Sequence, residues 1–194
     1  MFIDETDFPF LKIIKNNVNV ISDEFFYAVD KYEILDIFYN STEPTIYNHI
    51  AYWIKDNKFH PDNIGYEVRN GVWTGFPIYK SGFPINWYDV KSYFPETLKL
   101  LKLVPAINFS SFMRLDPNAM TTAHKHLMQN NIYHLLINDL DGKCEFTCEN
   151  FKKEVVKIGD SVMFDYSKEH SSVNLSTTKR IDFTIDFDPF LFQL

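Results

Sequence analysis

The chain has only two cysteines, Cys144 and Cys148, four residues apart with no second pair. That excludes a zinc ribbon and a disulfide framework, and it suits a reducing compartment such as the cytoplasm. The two thiols read as small apolar fillers on one strand face. Basic residues are also short, with 19 Lys and Arg against 26 Asp and Glu and a net charge of −7. A nucleic-acid backbone or an anionic membrane surface needs the opposite balance, so neither is expected as a partner. Nowhere do roughly 18 apolar residues run together, the length of a membrane span. The opening MFIDETDFPF is acidic and lacks the basic region of a signal peptide. There is no H-E-x-x-H helix, G-x-S-x-G elbow, P-loop or G-x-G-x-x-G turn, and no internal repeat or linker.

What the chain does hold is apolar bulk. Hydrophobic residues make up 45% of 194 and aromatic residues 17%, with 19 Phe and 11 Tyr. This is enough core for one domain over 1–194. Leu11, Ile14, Val18, Ile21, Phe25 and Val29 recur every three or four residues and predict one helix or two short ones. A second helix is expected over about 45–55, with Ile46, Ile50, Trp53 and Ile54 on one side. FPETLKLLKLVP predicts a third, with Pro95 at its first position and Glu96 at its positive end. Leu98, Leu101 and Leu103 are its apolar set, and Pro105 stops it. Between these, GVWTGFPIYKSGFPINW reads as an irregular strand and a loop. Its Trp73, Tyr79 and Trp87 either pack the sheet against the helices or line a substrate mouth.

From Ala106 the texture changes to short strands: Ala106–Leu115, Met120–Ala123, Ile132–Asn138, Cys144–Thr147, Lys152–Val156, Ser161–Phe164, Ser171–Asn174 and Arg180–Phe187. DPNA, NDLDG, CEN, KIGD and LSTTK separate them as turns. The expected class is mainly β with flanking helices, a jelly roll. A helix-rich part, about 1–105, packs on a β core of about 106–190.

Six histidines occur: His49, His60, His124, His126, His134 and His170. His124 and His126 are two apart, so on a strand they face one way. His134 lies on a following strand and His170 is distant. A β-barrel supplies an interior metal site in this manner, and non-heme Fe(II) oxygenases use two histidines and a carboxylate on one face of the ion. The same residues also read as ordinary core or surface histidines. Arg180 has two readings as well. Alternation puts Arg180, Asp182, Thr184 and Asp186 on one face of a strand. That face is either wet, with Arg180 beside Asp182, or it looks into a barrel mouth where a guanidinium grips a carboxylate.

Several stretches carry a resemblance. FPETLKLLKLVPAINFSSFMRLDPNAMTTAH resembles a helix, a strand and a Pro turn leading to a metal histidine. YHLLI resembles an Arg-x-His-Leu-Gly strand, and IGDSVMFDYSKEHSSVN a Gly-x-x-x-x-Phe-Asp-x-Ser-x-Glu-His segment. KRIDFTIDFDP is similar to a final strand that opens on an arginine. Together, over about Gly71 to Pro189, they resemble the aspartyl/asparaginyl β-hydroxylase family of Fe(II)- and 2-oxoglutarate-dependent oxygenases. The spacings Gly159 to His170 and His170 to Arg180 are those of the family.

The resemblance implies a cupin-like double-stranded β-helix. It makes His124 and His170 metal ligands and puts His134 and Arg180 on the cosubstrate. It implies Fe(II), 2-oxoglutarate and O2 as reactants and succinate and CO2 as coproducts of hydroxylating an unactivated C–H bond. The substrate is a small molecule or peptide, with an amino-acid or peptide side chain the expected class. The chain departs from the family at Ile132, where relatives carry arginine, and at Met113, where some carry serine. Pro117-Asn118 replaces Pro-Gly, and His126 stands where relatives carry an acidic residue or glycine. His126 is expected to face the metal, either as a third ligand or hydrogen-bonded to a metal-bound water; the competing reading turns it outward and leaves a two-histidine site. Met113 and Ile132 keep a second reading open, a metal-binding jelly roll without cosubstrate turnover, and a non-catalytic interaction domain is a third.

Overall fold

The structure, a computed structural model, describes residues 1–32, 68–71, 73–80, 82–84, 90–127 and 129–192. The helix expected over 45–55, with His49, His60 and Trp87, lies outside the described residues. The apolar repeat near the N-terminus forms two helices, α1 (Pro9–Asn16) and α2 (Val18–Tyr32). Pro9 sits in the first turn of α1, where its missing N–H costs nothing. Two further helices follow, α3 (Val90–Tyr93) and α4 (Pro95–Leu101). The carboxylate of Glu24 on α2 accepts hydrogen bonds from Glu96 N, Thr97 N and Thr97 Oγ1 at 2.7, 2.8 and 2.7 Å. An anion thus meets the positive end of α4 and fixes the two helices together.

Leu103 does not join the core. The helix ends at Leu101, and Leu103 N closes a tight turn on Leu100 O at 3.0 Å. Leu103 is therefore thrown outward, 53% exposed, and Val104 takes the buried place. Among the described residues no helix is long and apolar enough to cross a membrane.

The strands are β1 (Val68–Arg69), β2 (Trp73–Lys80), β3 (Phe83–Pro84), β4 (Ile107–Leu115), β5 (Met120–His124) and β6 (Asn131–Leu136). They continue as β7 (Cys144–Cys148), β8 (Phe151–Val155), β9 (Ser161–Asp165), β10 (His170–Asn174) and β11 (Arg180–Phe187). All pairings are antiparallel and form two sheets, in the orders β1-β5-β10-β7-β8 and β3-β2-β4-β11-β6-β9. The result is a jelly roll with helices on one outer face. The stretch read as an irregular strand is a full member of the second sheet: β2 pairs with β4 from Trp73 to Lys80, with one irregularity between Pro77 and Tyr79.

Strand β11 is the hinge of the packing argument. Its odd residues Ile181, Phe183, Ile185 and Phe187 join Leu11, Ile14, Ile21, Phe25, Phe94 and Leu101 in the core under the helices. Its even residues Arg180, Asp182 and Thr184 are buried too, 1%, 1% and 2% exposed. They face the space between the sheets, so the polar side of this strand is not wet. The same alternation divides β6. Tyr133 and Leu135 go to the helices, while Ile132 and Leu136 pack with Cys144, Phe146, Cys148 and Phe164 between the sheets.

Phe112 of β4 links the layers. Its ring meets Phe25 of α2 at 4.5 Å, Phe94 at 5.0 Å and Phe183 of β11 at 5.3 Å between centroids. Phe112→Ala should cost about 3–5 kcal/mol, as a buried aromatic truncation does. Urea unfolding followed by tryptophan fluorescence measures it, and a loss below about 1 kcal/mol would show that the helices dock independently of this ring.

Candidate metal centre

Register builds the site. Antiparallel pairing of β5 with β10 places His124 directly opposite His170, with ring centroids 4.3 Å apart. Each ring is held the same way: His124 Nδ1 lies 2.7 Å from Thr122 O, and His170 Nδ1 lies 2.8 Å from Lys168 O. A carbonyl only accepts, so Nδ1 carries the hydrogen in both rings and Nε2 keeps its lone pair for a ligand. Burial lowers the pKa of both histidines, and the neighbouring His124 and His126 push His170 down further. Both imidazoles are therefore neutral at neutral pH, the form a metal needs.

The chain before His170 is shaped for this purpose. Gly159 takes φ +90° at the entry to β9, a conformation that disfavours any side chain. After β9, Asp165 Oδ1 accepts from Ser167 N at 2.9 Å and Ser167 Oγ at 2.7 Å, and Lys168 N returns to Asp165 O at 3.0 Å. This turn brings Lys168 O under the ring of His170, which gives a physical role to the Asp-x-Ser-x-Glu-His string. Asn118 at the Pro turn has φ 59°, the left-handed conformation that asparagine tolerates.

His126 follows β5 and is buried. Its backbone N donates to Tyr166 O at 3.2 Å, and its ring stacks on Tyr166 with centroids 3.4 Å apart. One ligand atom from each of His124, His126 and His170 lies within 4.8 Å of the others, near enough for one divalent ion to reach all three. Three neutral nitrogen donors suit a first-row ion such as Fe(II). Among the described residues no carboxylate belongs to this cluster.

A small pocket opens beside the cluster, lined by His124, His134, His170, Arg180, Phe146 and Trp73 among others. Met113, Ile132 and Tyr166 also line it, so two of the family departures sit on its wall. Arg180 stacks over Phe146, its Cζ 4.7 Å from the ring centroid, and its Nη1 donates to Cys144 Sγ at 3.2 Å. His134 packs between Phe146 and Phe164. Its Nδ1 faces Asp182 Oδ2 at 3.3 Å, and burial lowers its pKa as well. The expected residues His124, His126, His134, His170 and Arg180 thus stand in one neighbourhood.

Sequence reasoning missed two contributors. Tyr166 fills the unspecified place in the Asp-x-Ser string, and only the long-range stack on His126 reveals it. Asp186, on β11, is pushed up to about 6 by burial, against hydrogen bonds from Asn130 and Asn108, and its charge raises the Tyr166 phenol. Alternation marks Asp186 as inward only once the two-sided burial of β11 is known.

Solved structures similar to this chain include the cupin domain of Schizosaccharomyces pombe Cnp3, at 10% identity over 62% of this chain and 67% of that one, TM-score 0.42. A predicted oxalate decarboxylase from Thermotoga maritima matches at 16% identity over 63% and 84%, TM-score 0.41. A cupin barrel-domain protein from Salinispora arenicola matches at 11% identity over 64% and 84%, TM-score 0.40. A search of curated proteins finds no match. Family comparison matches residues 16–189 to Aspartyl/Asparaginyl beta-hydroxylase, nearly the whole length. The chain belongs to the aspartyl/asparaginyl beta-hydroxylase family.

Proposed function

We propose that the protein is an Fe(II)- and 2-oxoglutarate-dependent dioxygenase that hydroxylates an unactivated C–H bond of a small molecule or peptide. An amino-acid or peptide side chain is the favoured substrate class. One observation carries the reading: three buried histidines converge beside a pocket whose wall holds a buried arginine. Bound iron, with 2-oxoglutarate and O2, supplies the oxidising power, and succinate and CO2 are the coproducts.

The chain's own residues do the rest. His124 and His170 present Nε2 because backbone carbonyls hold Nδ1, and His126 completes the face. Arg180 supplies the positive charge for the far carboxylate of the cosubstrate. His134 shapes the pocket wall beside it. Trp73, Met113, Ile132 and Phe146 line the space with apolar surface and exclude water from it. A second reading, a metal-binding jelly roll without cosubstrate turnover, draws support from the ion pair of Arg180 with Asp182 at 2.9 Å. Anaerobic Fe(II) titration with and without 2-oxoglutarate separates the two. A visible metal-to-ligand charge-transfer band supports the dioxygenase, and iron binding without the band supports the second reading.

His124→Ala and His170→Ala should each abolish stoichiometric iron binding while the domain stays folded, since too few donors remain. His126→Gly should weaken iron and His126→Asp should restore it. Burial holds His124 and His170 below the ordinary imidazole value of 6.5, so uptake should persist as pH falls through that value and fade only below it. Full iron occupancy in any of the three truncated variants removes that residue from the ligand set.

Arg180→Ala should weaken 2-oxoglutarate binding by about 2–5 kcal/mol and leave the coordination of iron by its histidines intact. Calorimetry on the metal-loaded protein reads this, and an unchanged cosubstrate affinity would exclude Arg180 from the pocket's chemistry.

A further inference from the structure

Arg180 is 1% exposed, and the chain supplies its counter-charge from two residues away. Arg180 Nε lies 2.9 Å from Asp182 Oδ2, and the same oxygen lies 3.3 Å from His134 Nδ1. Asp182 is itself 1% exposed and sits mid-sheet, paired with Met113 on β4 and Leu136 on β6. Its position is therefore fixed by the backbone. A carboxylate only accepts, so the Nδ1 of His134 is the donor, and burial keeps this imidazole neutral. Cys144, which accepts from Arg180 Nη1, is a thiol whose pKa burial raises, so it too is uncharged. Among the described residues, Asp182 is the carboxylate ion-paired with the guanidinium.

The metal cluster and Arg180 line the same pocket. An imidazole ligates as a neutral donor, so three of them bring no negative charge to an ion. A divalent ion there would feel the repulsion of a buried guanidinium, and Asp182, 2.9 Å from Arg180 Nε, is placed to offset it. A dicarboxylate meets the reverse situation, because Asp182 offsets the attraction of Arg180 for it. Groups this deeply buried are weakly screened by water, so such charges are felt at the cluster.

We propose that Asp182 is the built-in counter-anion of this site. By cancelling Arg180 it lets three neutral histidines hold a divalent cation before any cosubstrate arrives, and it does so at the expense of dicarboxylate affinity. This rests on the dioxygenase reading for the identity of the dicarboxylate alone. Asp182 acts through Arg180 and is a positioning and selectivity residue.

The test is Asp182→Asn, which keeps the shape and leaves an acceptor for Arg180 Nε and His134 Nδ1. Calorimetry with Mn(II) alone should show affinity falling about tenfold, and calorimetry with 2-oxoglutarate should show affinity rising about tenfold. A structural role would weaken both ligands together, and that outcome, or no change in either, overturns the proposal. The charge-free pair Arg180→Gln with Asp182→Asn covers the case in which the single variant does not fold. It should keep wild-type Mn(II) affinity and lose 2-oxoglutarate, and loss of Mn(II) from it overturns the proposal. Wild-type protein that takes Mn(II) but not 2-oxoglutarate sinks the dioxygenase reading alone, and the Mn(II) arm still decides the role of Asp182. Wild-type protein that takes no Mn(II) sinks both.

Discussion

A strand that carries charge yet is buried on both faces must neutralise itself. Strand β11 is in that position, with its odd residues under the helices and Arg180, Asp182 and Thr184 turned toward the second sheet. An unpaired guanidinium at this depth would be too costly to hold, so the pairing of Arg180 with Asp182 is a condition of the fold as well as a feature of the site. Thr184 satisfies itself in the same interior through Ser111, to whose carbonyl it donates at 3.0 Å.

The second sheet-to-sheet constraint is the register of β5 on β10. It sets His124 against His170, and the same local device, an imidazole Nδ1 on the carbonyl two residues back, orients both rings. Using the main chain to orient ligands leaves no side chain needed for the purpose. Side chains near the cluster are then available for other work. Tyr166 stacks on His126, and the apolar residues around Phe146 give the pocket its low polarity. In the proposed centre, a histidine as third ligand would also change the charge, since a neutral nitrogen would replace the carboxylate of a two-histidine site. The carboxylate paired with Arg180 is Asp182, 2.9 Å from its Nε.

Much of this was legible in the sequence because the relevant signals are local. Alternation from Arg180 to Phe187 gave a strand with the same bounds in the structure, and turn chemistry separated the other seven. The resemblance of Gly159 to His170 works because its residues form consecutive turns, with Asp165, Ser167 and Lys168 bonded to one another. What was not legible depends on long-range pairing. Period-two alternation shows that Arg180 and Asp182 share a face but cannot say whether the face is wet, since a second sheet must cover it. The stack of Tyr166 on His126 joins residues 40 apart and leaves no local trace. Leu103 fitted the apolar period of α4, but the helix ends before reaching it.

The central claim is that three imidazoles, and no carboxylate of the chain, hold one ion. X-ray absorption on the Fe(II)-loaded protein without cosubstrate counts them directly. The account predicts three imidazole nitrogens at about 2.1 Å with their outer-shell ring scattering, the remaining positions taken by water. A spectrum that fits two imidazoles, or that requires a protein carboxylate, would contradict it.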